Sequence, residues 1–168
     1  MLRLAIFAVL AVVVSACPFG WSQSGSSCYR ISDKPDTWVG AVRACSRFSS
    51  CASGFAGHLV AITTSFENQQ VMDVLNFNNM QNNEMWLGLR TPAGPVAWES
   101  GEALNPALRN TWHPGNPRRG YNMCTVALRG RWASRPCNSR RYYVCEMGGD
   151  PAPPAMLLSQ GVSPEDIF

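Results

Sequence analysis

The sequence predicts an α+β domain in which two helices flank short antiparallel sheets, with a long loop region and a framework of disulfides. Three observations carry that expectation. Helical periodicity is confined to two early stretches and stops near Asn83. After it come short apolar runs separated by Gly, Pro and Asn. All seven cysteines lie beyond residue 16, as expected of a chain that folds where thiols oxidise.

The elements follow in order. Residues 1–16 read as a signal peptide: Arg3 opens it, "LAIFAVLAVVV" is its apolar run, and Val14-Ser15-Ala16 is a small-residue cleavage site. That run is too short to span a bilayer, and no later stretch is longer, so no membrane span is expected and the mature protein should be secreted and extracellular. "VSAC" also fits a lipidation site at Cys17, which would leave an anchored protein. The remaining length suits one domain, residues 17–147.

"DTWVGAVRACSRF" sets Trp38, Ala41, Cys45 and Phe48 on one helical face, with Asp36 or Thr37 as N-cap. "TSFENQQVMDVLNF" opens on Thr64-x-x-Glu67, a capping-box spacing, and should bury Phe66, Val71, Val74 and Leu75. "MWLGLR", "VAWES", "MCTVAL", "RWAS" and "RYYVCEM" are the expected strands. Residues 100–122 hold six Pro or Gly and show no period. They read as a long loop, and such loops commonly carry function. Residues 148–168, "GGDPAPPAMLLSQGVSPEDIF", read as a flexible C-terminal tail.

Charge narrows the partners. The formal net charge is only +3, yet residues 103–145 contain eight arginines (109, 118, 119, 129, 131, 135, 140 and 141) and no Asp or Glu. A segment of one sign argues about partners, not about fold. No Gly-x-Ser-x-Gly or His-Glu-x-x-His motif is present, and nothing around Glu99 and Glu102 builds a cleft for paired acids. His58 and His113 stand apart from any zinc-like cysteine spacing. The chain is therefore not expected to be an enzyme or to carry a cofactor. Nucleic acid is not among its expected partners.

Five stretches taken in order resemble the C-type lectin-like domain family in its long form. They are the N-terminal hairpin "CPFGWSQSGSSCY", the first helix "TWVGAVRAC", "GHLVAI" leading to Glu67, the core strand "WLGL", and the closing "CTVALRGRWASRPCNSRRYYVCE". The resemblance runs from Cys17 to about Met147. It implies three pairings, Cys17–Cys28, Cys45–Cys145 and Cys124–Cys137, which claim Cys17 for a disulfide rather than a lipid. Cys51 is left over, either as a capped or buried thiol or as the link of a disulfide-bonded homodimer.

The resemblance also locates a site. Sugar-binding members hold calcium with a Glu-Pro-Asn or Gln-Pro-Asp triplet in the long loop, a Trp-Asn-Asp triplet in the next strand, and an acid before the disulfide cysteine. Here those positions are Asn116-Pro117-Arg118, Trp132-Ala133-Ser134, and Asn122, with Pro117 on the family's cis-proline. Calcium wants six to eight oxygens, several of them charged, and this set has no carboxylate. At an effective dielectric near 20, a guanidinium about 4 Å from a divalent ion is repelled by about 8 kcal/mol. "RTPAGP", at the family's other calcium positions, brings Arg90 and no acid. No metal is expected.

Positive charge takes the metal's place. Arg118 and Arg119 sit at the loop tip, with Arg129, Arg131 and Arg135 on or beside the neighbouring strand. Their planar forks suit sulfate, phosphate and carboxylate. Trp112 or Tyr121 could add a stacking face. The expected ligand set is Asn116, Arg118, Arg119, Tyr121, Asn122, Arg129 and Arg131. The expected partner is an anionic glycan or an acidic protein, bound without calcium. The alternatives are a calcium-dependent lectin with a divergent site, and a protein-binding or matrix component.

Overall fold

The computed structural model of the protein describes residues 17–49, 56–91, 96–118 and 120–148. The expected signal peptide, Cys51, Arg119 and the tail from Gly149 onward lie outside the described residues. Within them the elements run β1 (Ser22–Ser24), β2 (Ser27–Ile31), α1 (Trp38–Cys45), β3 (His58–Leu59), α2 (Ser65–Phe77), β4 (Met85–Arg90), a 3-10 turn (Pro106–Thr111), β5 (Met123–Leu128), β6 (Arg131–Pro136) and β7 (Tyr142–Gly148).

The strands join one sheet in the order β1-β2-β7-β4-β5-β6, with β3 also on β7. Most pairs are antiparallel, but β4 and β7 run parallel, with Met85 beside Tyr142 and Trp86 beside Tyr143. The expected antiparallel pairing holds for the other strand pairs, and β4–β7 is an addition to it. The cause is the connection: the long loop and the β5–β6 hairpin separate the two strands, leaving ample chain for a crossover. Two expectations need correction. "VAWES" makes only isolated bridges, Leu89 to Trp98 and Ala97 to Ala103, because the chain turns back at once through Trp98 N to Glu102 O. The long loop is not wholly irregular, since Asn105 caps the 3-10 turn by accepting from Ala107 N at 2.9 Å.

Period-two alternation gives the sheet two buried faces. Met85, Leu87 and Leu89 face one core with α2 and the long loop; Trp86 faces the other with α1. Burial on both sides explains the continuous apolar run of β4. Gly88 serves a close approach, since a Cβ there would lie 2.7 Å from the Leu59 carbonyl oxygen. On the α1 face Trp38 donates to Leu87 O at 2.8 Å, and Trp86 donates to Asp36 O at 2.9 Å.

Thr37, rather than Asp36, caps α1 by accepting from Gly40 N at 3.1 Å. Thr64 caps α2 by accepting from Glu67 N at 3.0 Å. The return bond slips one residue from the capping-box pattern, for the Glu67 carboxylate takes Thr63 N and Oγ1. On α2 Val71, Met72, Val74 and Leu75 are buried, but Phe66 is 70% exposed. At about 100° per residue it stands nearly opposite the centre of the buried stripe, so the expectation that it packs inward is overturned.

Disulfides join Cys17 to Cys28, Cys45 to Cys145 and Cys124 to Cys137. The second spans 100 residues and ties α1 to β7, worth about 4–5 kcal/mol in the chain-entropy view.

Candidate functional site

The long loop lies along the outer edge of β6. Trp112 bridges to Trp132 in parallel register, and His113 N donates to Trp132 O at 2.8 Å. Beneath it three indoles pack edge to face, with Trp98 and Trp112 each 5.6 Å from Trp132. Trp132 is further fixed by donating to Asn68 Oδ1 at 2.9 Å. All three rings are buried, so Trp112 is a support for the loop and not an open stacking face.

Past this ladder the chain turns through a cis Asn116–Pro117 peptide. The polar atoms of the turn satisfy one another. Asn116 Oδ1 accepts from Ser134 N at 2.9 Å. Ser134 Oγ accepts from Arg118 N at 2.9 Å. Thr91 Oγ1 donates to Arg118 O at 3.0 Å. Thr91 and Ser134 are buried, whereas the Arg118 side chain is exposed, and among the described residues its guanidinium has no protein partner. Among the described residues, no three or more His, Cys, Asp or Glu side chains cluster as metal ligands.

The sequence-predicted residues separate into groups. Asn116, Arg118, Tyr121 and Asn122 lie on the stretch that leads from the cis turn into β5, where Ser134 joins Asn116 to Arg118. Tyr121 is 94% exposed, and the Asn122 carbonyl accepts from Cys137 N at 3.0 Å. Arg119 falls outside the described residues. Arg129 and Arg131 do not join this group. They stand at the far end of the β5–β6 hairpin, where Leu128 pairs with Arg131, about 17 Å along the strand from Met123. Arg129 is part of the hairpin turn, at φ 50° before Gly130 at φ 78°, the left-handed pair that a two-residue turn needs. Its Nε donates to Asn82 Oδ1 at 3.0 Å.

Arg135 is absorbed elsewhere. It meets Glu84 at 2.8 and 2.5 Å, and Arg141 meets the other oxygen of the same carboxylate at 2.7 Å. Partial burial pushes the Glu84 carboxyl up, but the hydrogen bonds and charges of the two guanidinium groups outweigh it and hold the group below the usual range. Arg141 also lies over the Trp86 ring, 5.0 Å from its centroid. Arg90 covers Trp38 at 5.6 Å.

Sequence reasoning overlooked two features. One is Glu84 as the partner of two arginines; no acid inside the basic segment announced it, because it comes from the residue just before β4. The other is a groove of about 480 Å³ beside the cis turn. Leu104, Pro106, Trp112 and Pro117 give it an apolar wall, and Arg109 places a cation at its side. Arg109 was visible only as one of eight arginines, since nothing local distinguishes it.

Comparison with known proteins agrees with this architecture. Residues 34–147 match the family model described as "Lectin C-type domain". Echinoidin of Heliocidaris crassispina is 31% identical over 144 residues, covering 78% of this chain and 96% of that protein. One chain of the snaclec coagulation factor IX/factor X-binding protein of Echis carinatus is 28% identical over 132 residues, covering 77% of this chain and 96% of that one. The solved structure of human lithostathine superposes with a TM-score of 0.67 at 25% identity, covering 79% of this chain and 100% of that one.

Proposed function

The chain belongs to the C-type lectin domain family, and from that premise we propose that this binding module recognises an anionic ligand without calcium. The ligand class is a sulfated or uronic glycan, a phosphate-rich envelope polymer, or an acidic protein surface. The observation that carries the reading is the state of the cis-proline turn. The oxygens that could face a metal there, Asn116 Oδ1, Ser134 Oγ and Thr91 Oγ1, are engaged with Ser134 N, Arg118 N and Arg118 O. No carboxylate stands at Asn116, Arg118, Asn122, Ala133 or Ser134. Such a donor set does not fit a hard divalent cation.

What the turn offers outward is charge. Arg109, which lines the groove, and the exposed Arg118 present guanidinium groups; Arg119, Tyr121 and Asn122 follow Arg118 closely in the sequence. An extended polymer that also reached Arg129 and Arg131 would need to span the hairpin. Polyanions satisfy that requirement better than a single sugar ring. The three disulfides support secretion into an oxidising compartment, with residues 1–16 as the signal. A link through Cys51 would give a dimer with two such surfaces, visible on a non-reducing gel.

A glycan array run with calcium and then with EDTA tests the reading. The expected result is retention of sulfated and uronic glycans under both conditions, with loss when Arg118 and Arg119 become Ala. Binding restricted to neutral sugars and abolished by EDTA would overturn it. A protein ligand is the second reading. It is favoured by the snaclec relative, whose name records binding to coagulation factors, and it would show as a silent array.

A further inference from the structure

A second surface lies away from the long loop. β1 is the outermost strand of the sheet, and among the described residues its outer edge has no strand beside it. α2 runs alongside, leaving a groove of about 390 Å³ lined by Ser22, Gln23, Ser24, Asp73, Val74 and Phe77. Phe77 is 85% exposed. It follows Val74 at i, i+3, about 60° away around the helix, and so stands beside the margin of the buried stripe. An isolated exposed phenylalanine is ordinary. Here it forms one wall of a groove next to an open sheet edge, and the chain supplies an apolar segment within reach.

We propose that residues 155–158 of the chain's own C-terminal segment, "AMLL", seat in this groove against Phe77 and Val74. Three observations argue for that occupant. The first is the exit point. β7 ends at Gly148, which pairs with Ser27, and Ser27 pairs with Ser24 of β1. The chain therefore leaves the domain about 10 Å, two strand spacings, from the groove. The second is length. Residues 149–154 contain three prolines, and at about 3.1 Å per residue a chain of that length, counted to Ala155, could span up to about 22 Å, more than the distance to β1 requires.

The third is charge and polarity. Residues 151–164 carry no charged side chain. The groove's one carboxylate, Asp73, is held by Gln69 at 2.8 Å, and its other polar walls are neutral. Met156, Leu157 and Leu158 are the first run of large apolar side chains after the prolines. They would cover Phe77 while the acids at 150, 165 and 166 remain in water. The groove and the long loop draw on different residues, so this proposal stands whether or not the anionic ligand is found.

Methyl-labelled NMR of the full mature chain tests it. The expected result is nuclear Overhauser contacts from the Leu157 and Leu158 methyl groups to the Phe77 ring, independent of concentration. The amides of Leu157 and Leu158 should exchange about tenfold or more slowly than in Leu157→Asp, since one buried leucine is worth that much. Phe77→Ser, at an exposed position that does not support the core, should abolish the same contacts. Absence of tail contacts in the native chain overturns the proposal. So do contacts found only between differently labelled molecules, which would assign the groove to a second copy.

Discussion

Two groups of arginines from one acid-free segment meet opposite fates. Arg135 and Arg141 converge on Glu84, are partly shielded from water, and one of them stacks on Trp86. Arg109 and Arg118 lie on the long loop with side chains in solvent and, among the described residues, no acid against them. The sequence neighbourhood is alike in both cases. What separates them is whether the fold brings a carboxylate from elsewhere, and Glu84 at the foot of β4 reaches only the first group. A run of like charge is thus two things at once, part fastening and part surface.

Substitutions on either side of this division should have graded effects. Trp132→Ala should cost about 3–5 kcal/mol in denaturant unfolding, because it removes the central ring of the indole ladder. It should also release the loop, so anion binding falls with stability. Glu84→Gln should cost about 1–2 kcal/mol, allowing for partial solvent screening of the pairs. Retention on a heparin-type column should hold or increase, because two cations are freed.

The Glu84 pair also has a pH signature. Its folded pKa is lowered, so its contribution is present above the ordinary carboxylate range and is lost as pH falls through the lowered value. Glu146 has the opposite sign. Burial, with Glu67 nearby, raises its pKa, so its contribution favours the fold in acid and fades as pH rises through the raised value. Urea midpoints measured from pH 3 to 8 should therefore be flatter at the acid end for Glu84→Gln and flatter above the ordinary glutamate range for Glu146→Gln. The smallest stability effect belongs to Arg118→Ala, within about 0.5 kcal/mol of wild type. That variant should nonetheless elute from the anionic column at lower salt.

Much of the fold is legible in the residues. Trp38, Ala41 and Cys45 fall at helical spacing and are buried. The runs "MWLGLR" and "MCTVAL" coincide with β4 and β5. The resemblance supplied the disulfide pairing that spacing alone leaves open. Legibility ended where contacts are long-range. Phe66 is a different case, since the helical spacing itself sets it away from Val71, Met72 and Leu75 and so already pointed to water. The parallel pairing of β4 with β7 depends on chain that intervenes between them, which no local pattern displays. In the site, the triplet positions at Asn116 and Ser134 were readable. Their mutual hydrogen bonds, and the division of the arginines, were not, because each partner lies far along the chain.

Calcium-free recognition of an anion is tested head-on by calorimetric titration of the chelator-stripped protein with calcium, followed by a heparin-type oligosaccharide. No heat is expected from calcium up to millimolar concentration, and the oligosaccharide should then bind with the same affinity in calcium and in EDTA. Saturable heat at micromolar calcium, or oligosaccharide binding that appears only after calcium is added, would contradict it.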